Sequence, residues 1–216
     1  RESTCDYFTQ YPNPAPMIID TARLEPDAPL PADMGWGQGP EFNNRLVNEI
    51  NAEATGIDFV IYRLTVNNIT EALLAKHKAG VPVRIILEPN EYLNKKWPEF
   101  WLTHAYMDKL WAAGVPIKKR AHDGLTHMKM LVTSRVATNG SSNLASEWQR
   151  DHNYFVPAGR KPALHAAMKN RFTTMWNNTV GFTDFVPQPA DAPSLSTPSA
   201  GATSVSTPPT LTCNRA

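Results

Sequence analysis

Residues 57–64 read IDFVIYRL and residues 81–87 read VPVRIIL. Each is a nearly continuous apolar run of strand length, which a parallel strand covered on both faces requires. Working outward from this pair, the pattern alternates. Phe42, Leu46, Val47 and Ile50 fall at helical spacing ahead of the first run. Between the runs, Asn68 and Glu71 stand in the relation of a capping box, predicting a helix that ends near Gly80. A Trp-rich helix is predicted from about Pro98 to Ala113, stopping at Gly114, and Val115–Lys119 (VPIKK) supplies a third strand. Strands alternating with helices of this length predict βαβ units and a parallel sheet with right-handed crossovers. His127–Thr133, Val136–Thr138 and Asn153–Val156 then extend the sheet as hairpin-connected strands. A closing helix over about Pro162–Asn177 carries Leu164, Met168, Phe172 and Trp176 at helical spacing.

The flanks differ in composition. Residues 1–40 are rich in Pro, Asp and small residues without a sustained period, and read as an irregular lead or linker. Residues 41–186 form the periodic core. From Pro187 the chain turns to Pro, Ser, Thr and Ala, so residues 187–216 read as a disordered tail or a linker to a further domain. With 42% hydrophobic residues in 216, a sizeable core can form, and the formal charge of +1 argues against a dedicated duplex-DNA binder. No apolar run approaches the ~20 residues of a membrane-spanning helix. No signal-peptide pattern is present and the first residue is Arg, so the chain reads as processed or cut from something longer. Export is the favoured reading of its compartment. Cys5 and Cys213 lie at opposite ends and build no disulfide framework. The histidines show neither HExxH nor CxxC-paired spacing, so no metal site or cofactor is expected.

The chemistry is concentrated in residues 126–146, THMKMLVTSRVATNGSSNLAS. Side chains alternate along a strand, so His127 and Lys129 share one face while Met128, Met130 and Val132 face the core. A histidine beside a lysine is a poor core choice, but outward it is a nucleophile next to a fixed positive charge. In the turn that follows, Gly140 gives the backbone room and Ser141 and Asn143 offer donors to an anion. Lys118, Lys119 and Arg120 read mainly as a solvated strand end, His104 and His122 as surface or structural, and Trp97, Trp101 and Trp111 as packing residues.

This arrangement resembles the phospholipase D superfamily motif, HxK(x)4D followed shortly by GSxN. His127, Lys129, Gly140, Ser141 and Asn143 match it; Ser134 stands where the motif has Asp. The resemblance covers roughly residues 40–185 and implies an α-β-α sandwich with a mixed central sheet and helices on both faces. It also implies a histidine nucleophile, His127, that forms a phosphohistidine, with Lys129 and Asn143 stabilising the phosphoryl oxygens and no metal required. The family places an acidic residue just before the strand near Asn153, which points to Asp151 as the residue orienting the imidazole, over Glu147 and His152.

Such chemistry needs two histidines, and only one motif is present. The second half-site comes either from a homodimer mate or from a missing N-terminal half. The stretches YRLTVNNIT, EYLNKKWPEFWLTHA and QRDHNYFV look like the second half of long bacterial phospholipase D-like proteins, which favours the latter. The implied substrate is the phosphodiester of a phospholipid, hydrolysed or transferred. The alternatives are an endonuclease of the same superfamily acting on nucleic acid, and a non-catalytic half that completes an active partner.

Overall fold

The computed structural model describes residues 34–36, 39–93, 100–144 and 152–188. In chain order the elements are β1 (Met34–Trp36), α1 (Gly39–Ala52), β2 (Ile57–Ile61), α2 (Asn67–Lys78), β3 (Val83–Leu87), α3 (Pro89–Tyr92), α4 (Phe100–Ala112), β4 (Ile117–Arg120), β5 (Met130–Val132), β6 (Val136–Gly140), β7 (His152–Pro157), α5 (Pro162–Asn177) and β8 (Phe182–Asp184). The two apolar runs become neighbours: β2 and β3 pair in parallel, Phe59 opposite Ile85, and β4 continues the parallel half beside β3. On its other side β2 pairs antiparallel with β5, and β6, β7 and β1 follow antiparallel, giving the order β1-β7-β6-β5-β2-β3-β4-β8.

The apolar runs are continuous because each strand feeds two cores. Ile57, Phe59 and Ile61 of β2, with Val83, Ile85 and Leu87 of β3, pack with Leu46 and Ile50 of α1, Leu73 of α2 and Leu110 of α4. The alternate residues Val60 and Ile86, with Met130 and Val132, meet Phe172 and Met175 of α5 on the opposite face. The sheet is therefore mixed with helices on both sides, as the resemblance implied. Asp58 and Arg84 also face α5, and a two-bond ion pair (2.8 and 2.9 Å) satisfies them there. The Arg84 guanidinium lies 5.1 Å from the Phe172 ring centroid.

Several local expectations are corrected. The helix over Asn67–Lys78 is capped by Val66 without a side-chain hydrogen bond, and Glu71 pairs with Lys109 of α4 rather than closing a capping box. Tertiary pairing has taken the carboxylate that the local motif would have used. Leu164 is half exposed, so only Met168, Phe172 and Trp176 of the predicted stripe meet the sheet. β1 lies within the stretch read as irregular, and β8 was not foreseen. The expected stops hold at Gly80 (φ 84°) and Gly114 (φ 89°), conformations that cost an L side chain strain.

At the end of α1 the chain turns on Glu53, whose side chain is sealed from solvent. One carboxylate oxygen accepts the backbone N–H groups of Ala54, Thr55 and Gly56; the other accepts both the N–H and the hydroxyl of Ser134. The residue departing from the HxK(x)4D pattern thus meets its carboxylate from another element. Burial alone would raise the Glu53 pKa, but these bonds outweigh it and hold it at about 2. Its folded pKa lies below the ordinary value, so the stabilisation is complete above about pH 4.5 and is lost as pH falls toward 2. Glu53→Gln should therefore lose roughly 2 kcal/mol at pH 7 in urea denaturation, and much less near pH 2.5. Equal losses at both pH values would refute a charged hub.

Candidate active site

The site lies where the parallel strands end, the crevice in which open α/β sheets place their ligands. Glu88 follows β3 with no exposed surface. Its N–H donates to Ile61 O at the end of β2 (3.1 Å). Its carboxylate accepts Arg120 Nε and Nη2 at the end of β4 (2.8 and 2.9 Å), Asn90 N–H (3.1 Å) and Thr126 N–H (2.8 Å). Burial opposes ionisation, yet the Arg120 and backbone donors lower the Glu88 pKa. One residue, through its amide and its carboxylate, therefore joins three strand ends to the residue preceding His127.

From that anchor the chain runs extended into β5. The sheet ladder begins at Met130, so His127 and Lys129 lie ahead of the regular strand and not within it. Alternation nonetheless persists: Met128, Met130 and Val132 join the α5 core, whereas Lys129 turns to the other side with His127. Lys129 is buried, not outward as expected; its ammonium donates to His127 O (2.9 Å) and lies 3.0 Å from His127 Nε2. An ammonium only donates, which assigns the lone pair to Nε2 and the proton of the neutral ring to Nδ1. Partial desolvation and then the Lys129 charge lower the His127 pKa below 6.5, so at neutral pH the ring is uncharged.

Sequence reasoning missed Tyr62. Its ring packs edge-on against His127 (centroids 4.3 Å, 77°), and the Lys129 ammonium lies 4.7 Å from its centroid. Burial and then a hydrogen bond with the Glu91 carboxylate raise the Tyr62 pKa, keeping the phenol protonated. Arg63 Nε donates to the same Glu91 at 2.6 Å. No spacing rule links residue 62 to 127; the signal was only a polar pair closing an apolar run.

The same segment receives the GSxN turn. Leu64 and Leu144 form a parallel bridge, Thr65 N–H donates to Leu144 O (2.8 Å) and Leu144 N–H to Arg63 O (3.3 Å). Asn143 is thereby brought to the β2 exit that also supports His127. Gly140 ends β6 opposite Asn153 of β7. Ser141 is exposed, and it is the intervening Ser142 that locks the turn, accepting a 2.8 Å bond from buried Asn153. Asp151 and Glu147 lie outside the described residues, as do Lys95, Lys96, Trp97 and both cysteines, and the Trp101 and His152 side chains are likewise not described. The basic run is engaged rather than merely solvated: Lys118 donates to Trp176 O (2.7 Å) and Arg120 binds Glu88. His104 is structural, stacked on Tyr92.

Comparison with known proteins agrees with this fold. A family model described as cardiolipin synthase, PLD-like domain, matches residues 46–176. The chain is 23% identical over 143 residues to a mitochondrial cardiolipin hydrolase of Chlamydomonas reinhardtii, covering 66% of this chain and 60% of that protein. The chain thus spans less than two thirds of that relative's length. Among solved structures it is similar to Nuc, a phospholipase D family member from Salmonella typhimurium (TM-score 0.59, 18% identity, 70% of this chain and 95% of that one). It is also similar to NucT from Helicobacter pylori (TM-score 0.52, 18% identity, 66% and 89%).

The electrostatics are testable directly. Replacing Lys129 by Met removes a charge that disfavours imidazolium, so the His127 titration followed by ring NMR should move to higher pH. A midpoint that stays put or falls would disprove the coupling.

Proposed function

The chain belongs to the phospholipase D-like superfamily, and on that premise we propose that it is one half of a phosphodiesterase attacking a phospholipid phosphodiester through His127. The observation that carries this reading is the 3.0 Å approach of the Lys129 ammonium to His127 Nε2, a neutral nucleophile beside a buried cation. In the free site the ammonium holds the lone pair. An arriving phosphodiester offers its non-bridging oxygens to Lys129 instead, and Nε2 is released toward phosphorus.

The Nε2 lone pair then forms a bond to phosphorus and the P–O bond to the leaving alcohol breaks. Lys129 and Asn143 stabilise the charge on the non-bridging oxygens, a term worth about 10²–10³ in rate for one donor. A histidine of the second half-site, from a homodimer mate or a preceding half-chain, gives its proton to the leaving oxygen. That histidine then takes a proton from water or an acceptor alcohol, whose oxygen breaks the P–N bond and restores His127. Asp151 would hold the proton on Nδ1. Tyr62 would act through the two side chains it touches, as a positioning residue. These steps ask nothing of a metal, because the ammonium and amide supply the electrostatic stabilisation.

A phospholipid substrate is supported by the description of the matching family and the name of the cardiolipin hydrolase relative. The near-neutral charge of +1 points the same way, since phosphate-tracking proteins gain affinity from each cation.

The test uses the assembly carrying two half-sites, with EDTA present. Phosphatidylcholine or cardiolipin vesicles should be turned over and single-stranded DNA should not. His127→Ala should abolish turnover and the phosphohistidine trapped by rapid quench, while Asn143→Ala should slow turnover about 10²–10³-fold. DNA cleavage without lipid turnover would replace the substrate reading. Full turnover by His127→Ala would leave this chain as a non-catalytic half.

A further inference from the structure

The segment that delivers His127 also borders an open cleft on the α5 side. It has a volume of about 350 Å³ and is lined by Leu125, Met128, Met175 and Phe182, with His122, Thr126, His127 and Arg171 as its polar members. Two loops build its outer lip. Ala121 N–H and His122 N–H both donate to Gly181 O (2.8 and 3.3 Å), and the His122 ring stands against Phe182 at 5.3 Å. These contacts hold residues 121–125 beside residues 179–182. Each loop presents an unprotected apolar side chain: Leu125 is 48% exposed and Val180 is 86% exposed. Gly124 (φ 94°) makes the turn that lifts Leu125 outward.

The lip itself carries Asp123 and, two residues past Phe182, Asp184, with Arg171 lining the cleft, whereas the helix behind it is cationic. α5 contains no Asp or Glu, and Lys169 and Arg171 are exposed along it. Asp123 is the acid of the first loop. Isolated exposed apolar residues are ordinary on a surface. Here two stand on hydrogen-bonded loops, next to a cationic helix and at the mouth of an apolar cleft that reaches the nucleophile. A nucleic acid would use the cations but gain nothing from an exposed Val and Leu. An anionic lipid surface would use both, with apolar tips in the acyl boundary and basic side chains at the phosphate level.

We propose that the paired loops 121–125 and 179–182, with the exposed face of α5, seat this chain on an anionic phospholipid surface. The cleft then receives the apolar part of a lipid whose phosphodiester faces His127. The proposal rests on the phospholipid reading above and adds to it the face by which the substrate arrives. It also gives the exposed position of Leu125, so close to the nucleophile, a purpose.

The test is flotation of the full chain with vesicles of equal phosphatidylglycerol and phosphatidylcholine, compared with pure phosphatidylcholine. The chain should float with the anionic vesicles. Val180→Asp and Leu125→Asp should each weaken that binding by about tenfold or more, with the melting temperature unchanged. If Leu125→Asp fails to fold, Val180→Asp, at an almost fully solvated position, still decides. His127→Ala should float as the unaltered chain does, so a failure of the catalytic reading leaves this result standing. Unchanged flotation of Val180→Asp, or no preference for anionic vesicles, overturns the proposal. So does binding of a single-stranded oligonucleotide that Arg171→Glu abolishes and Val180→Asp leaves intact, which would mark a nucleic-acid face.

Discussion

The buried carboxylate of Glu88 is the constraint on which the site depends. Its two oxygens meet Arg120, Asn90 and Thr126 while the Glu88 backbone N–H meets Ile61, so this residue fixes three strand ends and the takeoff of the His127 segment together. A buried charge is tolerated only when its donors are complete, since one partner lost strands the rest at a cost of several kcal/mol. The arrangement is accordingly all-or-nothing. Site precision therefore originates in a residue that need not touch the substrate.

Glu53 plays the matching part at the far end of β2, where α1 hands over to the strand and the turn after β5 comes back. The two carboxylates bracket the central strand. This also removes the difficulty posed by Ser134, whose short hydroxyl leaves room for a carboxylate reaching in from α1. An Asp there would set two negative charges against each other.

What the sequence disclosed follows the range of the forces involved. Period-two and helical patterns are local, so IDFVIYRL, VPVRIIL and the helix over Pro162–Asn177 were legible, as was the HxK and GSxN spacing. Partnerships such as Tyr62 with His127, Glu88 with Arg120 and Ser142 with Asn153 are made by folding itself and leave no spacing behind. Local cues also misled where a distant partner competed. Glu71 left its capping role for Lys109, and Lys129 went inward because His127 O and the Tyr62 ring replace its water. The three-residue strands β1 and β8 were too short for any period to register.

Those short strands have a consequence of their own. Among the described residues the sheet is bounded on both margins by three-residue segments, β1 beside β7 and β8 beside β4. Such stubs offer little unpaired backbone for a foreign strand to zip onto, a common defence against edge-wise aggregation. Further strand pairing along either margin is thereby limited, and the broad opening left in this sheet is the crevice at the strand ends.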